Sequence, residues 1–185
     1  EKLIFETLNE PRLRGDDQEW NYNATKDKCK QSMQVINNLN QVAVDTIRAA
    51  GGKNSERLII VTPYVASYDA VLYTDDFIVP NDPAKKLALS VHMYQPYVFA
   101  MESPGAKEFI QNYADQLTDS FEWLDEKFTQ NGVPVFIGEY GAVNKNNPQD
   151  RIKWAKHFTQ ASYKLGMATA LWDNDNYTLK GNDYT

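Results

Sequence analysis

Two glutamates stand out because each lies at the end of an apolar run. Glu10 comes after residues 2–8, in the stretch LIFETLNEP, and Glu139 comes after residues 133–138, in VPVFIGEYG. Hydrolysis of a glycosidic bond needs two carboxyl groups, one to protonate the leaving oxygen and one to attack the anomeric carbon or activate water. Their surroundings must separate the two pKa values, so that one group stays protonated near neutral pH. The pair therefore indicates acid–base chemistry on a sugar.

Polar and aromatic side chains also end other apolar runs. Residues 87–93 contain His92 and are followed by Tyr94, and residues 167–172 end in Trp172. In a parallel α/β fold the carboxyl ends of the strands converge on one face, which in a closed eight-stranded barrel holds the active site. We therefore expect these side chains to line one cleft. A hydrogen-bond donor such as Tyr94 would help to keep the attacking carboxylate ionised.

The pattern of elements favours an α/β fold. Apolar runs predict strands at 2–8, 58–62, 87–93, 133–138 and 167–172, and apolar residues at helical spacing predict helices at 35–47, 109–128 and 148–165. We expect a long loop at 12–30 and irregular chain at 64–86 with a short helix near 68–72. The strands are apolar throughout, as expected when both faces are covered, and their alternation with helices predicts a parallel sheet. The composition does not change along the chain in a way that would mark a domain boundary, so residues 1–185 are expected to form a single domain.

Composition excludes several classes of function. The 185 residues carry a formal charge of −6 and scattered basic residues, which disfavours nucleic acid and an anionic membrane surface. No apolar run is long enough to cross a bilayer, and no glycine-rich phosphate loop follows a strand. Cys29 is the single cysteine, so no intrachain disulfide can form. The chain opens with Glu1 and shows no signal peptide, from which we expect a processed product or a fragment.

The strand-end motifs resemble glycoside hydrolase family 5. Asn-Glu-Pro, His-x-Tyr, Ile-Gly-Glu-Tyr-Gly and Trp-Asp-Asn follow one another in the order of the family's fourth to eighth strands. The NEPRLRG…EW stretch is most similar to the endo-β-1,4-glucanase branch from anaerobic and rumen bacteria. The resemblance implies the C-terminal part of a TIM (β/α)8 barrel, with about five parallel strands.

The resemblance also implies roles for individual residues. Glu10 would be the acid/base and Glu139 the nucleophile of a retaining double displacement, with no metal or organic cofactor. Asn9 would bind the 2-hydroxyl of the sugar at the cleavage point, and Trp172 would stack under that sugar. The full set of expected substrate-binding residues is Asn9, His92, Tyr94, Trp172 and, in the loop after Pro11, Trp20.

The same resemblance implies a substrate, a partner and a location. The substrate would be cellulose or a related β-glucan, and the protein would be secreted or held at a bacterial cell surface. Nothing corresponds to the family's first three strands or to its final helix. A five-stranded sheet would expose two unpaired edges, so we expect an N-terminal half-barrel from a separate chain, or self-association.

Alternatives remain open at this point. The chain could be a non-catalytic half-barrel, or another member of the clan such as a mannanase, a xylanase or a xyloglucanase. Glu10 before a proline could be a solvated turn residue, and Trp172 could belong to the core. Asp173 and Asp175 resemble a sparse calcium loop but lack the spacing of metal ligands.

Overall fold

Five short strands form one sheet in the order β1-β2-β3-β4-β5. Parallel pairing joins β1 to β2, with Phe5 opposite Ile59, and β2 to β3, with Ile59 opposite Leu87. All residues of β2 and β3 are buried, which agrees with their mainly apolar sequence. The strands are Phe5–Glu6 (β1), Ile59–Val61 (β2), Leu87–His92 (β3), Val135–Tyr140 (β4) and Ala168–Leu171 (β5).

The computed structural model describes residues 3–172, which divide into two compact units. Unit 1 contains residues 3–91 and 132–136, and unit 2 contains residues 92–131 and 137–172. The helices are Asp27–Ala49 (α1), Asp69–Leu72 (α2), Tyr97–Ala100 (α3), Gln111–Lys127 (α4) and Pro148–Lys164 (α5). Within residues 3–172, no helix is both long and apolar enough to cross a membrane.

Unit 1 is built around α1, the longest helix. Asp27 in its first turn and Arg48 in its last turn complement the helix dipole. The helix ends where Gly51 takes a positive φ of 67°, a conformation that glycine adopts without strain. Its buried face, which includes fully buried Asn40, consists of Cys29, Met33, Ile36, Asn40 and Val44.

Unit 2 is held by aromatic packing between α4, β4 and α5. Phe121 of α4 meets Phe158 of α5 edge to face, with ring centroids 5.0 Å apart. Tyr140 of β4 stacks on the same Phe158 ring at 4.4 Å. Because these rings are large and rigid, their contacts fix how β4 lies against α5.

The predicted elements are present, with differences at their ends. The predicted loop at 12–30 is wrong at its C-terminal end, because α1 begins at Asp27 with a charged first turn that carries no apolar stripe. The predicted helix at 109–128 begins only at Gln111, and the four-residue α3 was not predicted. The short helix near 68–72 is confirmed as α2.

A buried ion pair joins α1 to the segment before β3. The Arg48 guanidinium makes two bonds to the Asp82 carboxylate, Nε to Oδ1 at 2.8 Å and Nη2 to Oδ2 at 2.9 Å. The backbone N–H groups of Ala84 and Lys86 donate to the same carboxylate. The Arg48 bond, helped by these N–H groups, lowers the pKa of Asp82 from 3.8 to about 2. A carboxyl group with a lowered pKa stabilises the fold above its unfolded pKa and loses that contribution as the pH falls.

We expect Asp82→Asn to lower the free energy of unfolding by about 2 kcal/mol at pH 7, because the charged partner of Arg48 is lost. The difference from the wild type should shrink as the pH falls from 4 towards 2, where Asp82 itself becomes protonated. Urea denaturation at several pH values measures it. Exposed Asp45 of α1 provides the control, since Asp45→Asn should cost little at any pH. A deficit for Asp82→Asn that stays constant down to pH 2 would contradict this account.

Candidate active site

The orientation of Glu139 follows from its neighbour in β4. Successive side chains of a strand point to opposite faces of the sheet. Tyr140 packs on α5 through Phe158 and Trp154, so Glu139 must point to the other face. The strand therefore places a large ring in the core and, one residue earlier, a carboxylate away from it.

Two side chains from the end of β3 contact the Glu139 carboxylate. The Tyr94 hydroxyl donates to Oε2 at 2.7 Å, and Nδ1 of His92 lies 3.3 Å from the same oxygen. The backbone holds the partners in register, since the Met93 N–H donates to the Glu139 carbonyl at 2.9 Å. The side chains of His92 and Glu139 are 4% and 13% exposed. Unit 2 thus contains an oriented carboxylate that is screened from water but still accessible.

The second glutamate is held by unit 1, in the segment that follows β1. Its side chain is 20% exposed, and the guanidinium of Arg12 lies 3.8 Å from its Oε2. Arg12 also donates to the backbone carbonyl of Glu10 at 2.9 Å and to the Glu19 carboxylate at 3.0 Å. The Gly15 N–H donates to the other Glu19 oxygen, and these bonds lower the pKa of Glu19. The turn after Glu10 is therefore closed by a charge network centred on Arg12.

The two tryptophans predicted to contact the substrate both have exposed rings. Trp20 is 57% exposed, and the Arg12 guanidinium stacks 4.0 Å from the centre of its ring. Trp172, in unit 2, is 38% exposed, and its backbone N–H donates to the carbonyl of Tyr140. Asn9 is exposed beside Glu10. These rings are available for sugar stacking.

Unit 2 offers a carboxylate that is held in place by neighbouring side chains. His92 and Glu139 carry atoms that can ligate a metal, but their 3.3 Å separation is that of a weak hydrogen bond between them. The expectation that no metal or organic cofactor takes part stays a prediction. Asp173, Asn174 and Asp175, which carry part of the Trp-Asp-Asn motif and the calcium-loop alternative, lie outside the described residues.

Comparison with known families settles what the motifs belong to. Residues 1–178 match the family model "Cellulase (glycosyl hydrolase family 5)". The chain belongs to glycosyl hydrolase family 5. The resemblance predicted from the strand-end motifs is confirmed, and the chain is a glycoside hydrolase by family.

Individual members of family 5 are similar to this chain over nearly its whole length. Endoglucanase 1 of Ruminococcus albus is 37% identical over 182 residues, which are 98% of this chain and 42% of the relative. A mutant of the glycoside hydrolase 5 lichenase from Caldicellulosiruptor sp. F32, in complex with cellotetraose, is 36% identical with a TM-score of 0.91. A GH5-4 broad-specificity endoglucanase from Ruminococcus champanellensis with bound cellotriose is 36% identical with a TM-score of 0.88. The chain covers 51% of each of these two structures and is itself 98% covered.

These matches bear on the predicted fold class and on the predicted part of the barrel. The predicted fold class, a partial (β/α)8 barrel with five parallel strands, is confirmed. The chain spans half or less of the length of these family 5 relatives and corresponds to their C-terminal part. The assignment of particular roles to all the predicted site residues stays a prediction; these residues are Asn9, Glu10, Trp20, His92, Tyr94, Glu139 and Trp172.

A buried lysine, Lys145, holds the backbone of the segment that follows Tyr94, and the sequence motifs did not reveal it. The Lys145 ammonium donates to three backbone carbonyls, those of Val98 at 3.1 Å, Phe99 at 2.5 Å and Ala106 at 3.3 Å. An ammonium has three N–H donors, so all of them can be used here. Burial lowers the pKa of Lys145, an effect that the carboxylate of Glu102 partly offsets.

Further bonds fasten the segment after β3 to the segment after β4. The Trp154 indole N–H donates to the Gln95 carbonyl at 2.8 Å, and the Asn147 amide donates to the Lys107 carbonyl at 2.8 Å. Gln95 follows Tyr94 directly in the chain. Donors in α5 and in the residue just before it therefore fix the backbone that carries Tyr94 towards Glu139. Asn147 is the N-cap residue of α5, with Pro148 directly after it, but its side-chain oxygen accepts from the Lys145 N–H instead of from the first turn of the helix.

Lys145→Met should lower the free energy of unfolding by about 2 to 3 kcal/mol, because three backbone carbonyls lose the ammonium donor, although that of Val98 keeps the Ala106 N–H. Lys153→Met is the matched control, since Lys153 is 63% exposed and pairs only at the surface of α5. Urea denaturation at pH 7 gives both values. Equal losses for the two variants would show that the Lys145 bonds contribute nothing beyond a surface charge.

Proposed function

We propose that the chain supplies both catalytic carboxyl groups of an endo-acting, retaining β-glucan hydrolase. Glu10 protonates the leaving oxygen while Glu139 attacks the anomeric carbon, and Glu10 then deprotonates the water that releases the sugar. The observation that carries this proposal is the Glu139 carboxylate, held by Tyr94 at 2.7 Å and by His92 at 3.3 Å. Donors of this kind keep a nucleophilic carboxylate oriented and ionised.

The relatives and the exposed rings support a β-glucan as the substrate. Hydrolysis of β-glucans agrees with the endoglucanase and lichenase names of the family members. We propose a β-1,4-linked glucan, with Asn9 on the 2-hydroxyl and Trp172 under the sugar at the cleavage point. Trp20, with its ring fixed by Arg12, would form a platform on the leaving-group side. Mannan, xylan and xyloglucan remain as rival substrates that a product assay separates.

A partner for the chain is the second part of the proposal. In unit 1, Leu3 and Ile4 beside β1 are 47% and 50% exposed. Helix α1 of the same unit also exposes an apolar stripe, which is Val35, Leu39 and Val42. In unit 2, an apolar groove of 270 Å³ is lined by Ile152, Ala155 and Leu171 among others. Exposed apolar surface of this kind supports docking of further barrel strands, which we propose come from an N-terminal half-barrel. Secretion or display at a bacterial cell surface is proposed with it, since a polymeric glucan is not taken up whole.

Glu139→Gln should lower the rate of reducing-sugar release from barley β-glucan on the order of a thousandfold or more, because the nucleophile is lost. Glu122→Gln on the exposed face of α4 removes the same charge from the same unit and should leave the rate unchanged. NMR of the first product should show the β-anomer, as double displacement retains configuration. Undiminished activity in Glu139→Gln would remove Glu139 from the mechanism, and an α-anomer would exclude retention.

The partner proposal is tested by measuring activity together with molecular mass. The full chain is assayed on carboxymethyl-cellulose and barley β-glucan, alone and after co-expression with a polypeptide that supplies a relative's first three barrel strands. We expect activity to appear or to rise at least tenfold in the co-expressed complex, with a mass that corresponds to one copy of each chain. Full activity in a monomer of the chain alone would contradict the need for a partner. Binding of cello-oligosaccharides by the complex without turnover would favour the non-catalytic alternative.

A further inference from the structure

The turn that follows β2 contacts the segment that carries Glu10. This turn, residues 62–66, is here called the β2 turn. Its first residue, Thr62, is fully buried and donates its hydroxyl to the carbonyl of Leu8 at 3.0 Å. Leu8 lies two residues before Glu10. One bond of the β2 turn therefore fixes the backbone on the N-terminal side of the carboxyl group.

A second bond fixes the backbone on the other side. The Val65 N–H donates to the carbonyl of Pro11 at 2.8 Å, one residue after Glu10. To make this bond Val65 adopts φ 54° and ψ 19°, and Ala66 follows with φ 49°. A β-branched residue in the left-handed region is an outlier that the surrounding structure must hold in place. The strained backbone points the donor at the Glu10 segment.

Tyr64 makes the third connection, and it reaches further along the same loop. The ring is fully buried, and its hydroxyl accepts from the Leu13 N–H at 3.1 Å and donates to the Gln18 carbonyl at 2.8 Å. Burial raises the pKa of Tyr64, so the hydroxyl remains a donor throughout the pH range of an assay. One oxygen atom thus closes the loop between Leu13 and Gln18.

Helix α1 supports the β2 turn from behind. Fully buried Asn40 donates to the Thr62 carbonyl at 2.9 Å and accepts from the Thr7 hydroxyl at 2.6 Å. A buried amide whose bonds are satisfied at both ends specifies a single arrangement of its partners. Asn40 therefore locks the end of β1 to the end of β2, immediately before the contacts that flank Glu10.

We propose that the β2 turn, with Asn40 behind it, is a positioning device for Glu10 as the general acid. Thr62, Tyr64 and Val65 touch no reacting atom; they fix the backbone on both sides of Glu10, so that its carboxyl group meets the leaving oxygen. This inference rests on the proposed function. Misplacement of a catalytic group by about 1 Å can cost a hundredfold in rate, which is why backbone anchors on both sides of the residue matter.

The experiment separates acid catalysis from every other contribution to the rate. Cellotetraose has a poor leaving group, a sugar hydroxyl that must be protonated as it departs. The leaving group of 2,4-dinitrophenyl β-cellobioside is dinitrophenolate, which departs without a proton. The value of kcat/KM reports the first irreversible step, in which the leaving group departs. Both substrates are assayed with the full chain in the complex with an N-terminal half-barrel. The variants are Tyr64→Phe, which removes a hydroxyl that makes two bonds, and Thr62→Val, which removes a hydroxyl that makes one; both keep the side-chain shape.

We expect Tyr64→Phe and Thr62→Val to lower kcat/KM on cellotetraose about tenfold, a fraction of the hundredfold or more that a general acid supplies. On the dinitrophenyl substrate each should stay within about twofold of the wild type. Glu10→Gln removes the general acid itself, so it should lower kcat/KM on cellotetraose further than either variant and leave the dinitrophenyl substrate little affected. Tyr22→Phe is the matched control: its hydroxyl donates to Asp76 at 2.8 Å and its ring lies 5.6 Å from that of Tyr64. It should change neither value.

The outcomes distinguish this inference from the proposed function. Equal losses on both substrates would mean that the bonds serve only the fold. No loss on either substrate would mean that the bonds do not position Glu10. Each of these results overturns the inference and leaves the proposed hydrolase activity in place. A complex inactive on both substrates overturns the proposed function and the inference with it. If Tyr64→Phe fails to fold, the substrate ratio of Thr62→Val decides.

Discussion

A β-strand can show only every second residue to one face, and the arrangement around β4 depends on this constraint. Tyr140 must face α5, because its ring completes the stack with Phe158 and Trp154. Glu139 is thereby directed to the opposite face, where Tyr94 and His92 meet it. A shift of register by one residue would bury the carboxylate among aromatic rings at a high cost. The hydrophobic core thus fixes where the carboxylate points.

The segments outside the strands convert this direction into a rigid geometry. In unit 2, Lys145 bonds to carbonyl groups within α3, and Trp154 bonds to the Gln95 carbonyl just before it. In unit 1, Arg12 joins the Glu10 carbonyl to the Glu19 carboxylate and stacks on Trp20. Irregular chain next to a site must satisfy its backbone groups without a helix or a sheet. Long cationic side chains do this here, since each offers several donors from one residue.

The sequence was sufficient for the features that have a period or a motif. The five apolar strands, the long helices and the family of the chain could be predicted, because each depends on apolar spacing or on residues next to one another in the chain. Asn40 and Lys145 could not be predicted in the same way. Both are buried polar residues whose partners lie 22 to 47 positions away, and a pattern of apolar residues assigns such positions to the surface. The start of α1 at Asp27 was missed for a related reason, since its first turn is charged.

The two glutamates are held in different ways, and their proposed roles give a reason. A nucleophile must be ionised when it attacks, so a donor placed directly on its carboxylate assists it; Tyr94 is placed in that way on Glu139. An acid/base must release a proton and take it back within one cycle, so a strong bond that favours one protonation state would slow half of the reaction. Anchors on the neighbouring backbone add no such bond, because they fix the position of the residue without touching its carboxyl group. The bonds from Thr62 and Val65 to the carbonyls on either side of Glu10 have this property.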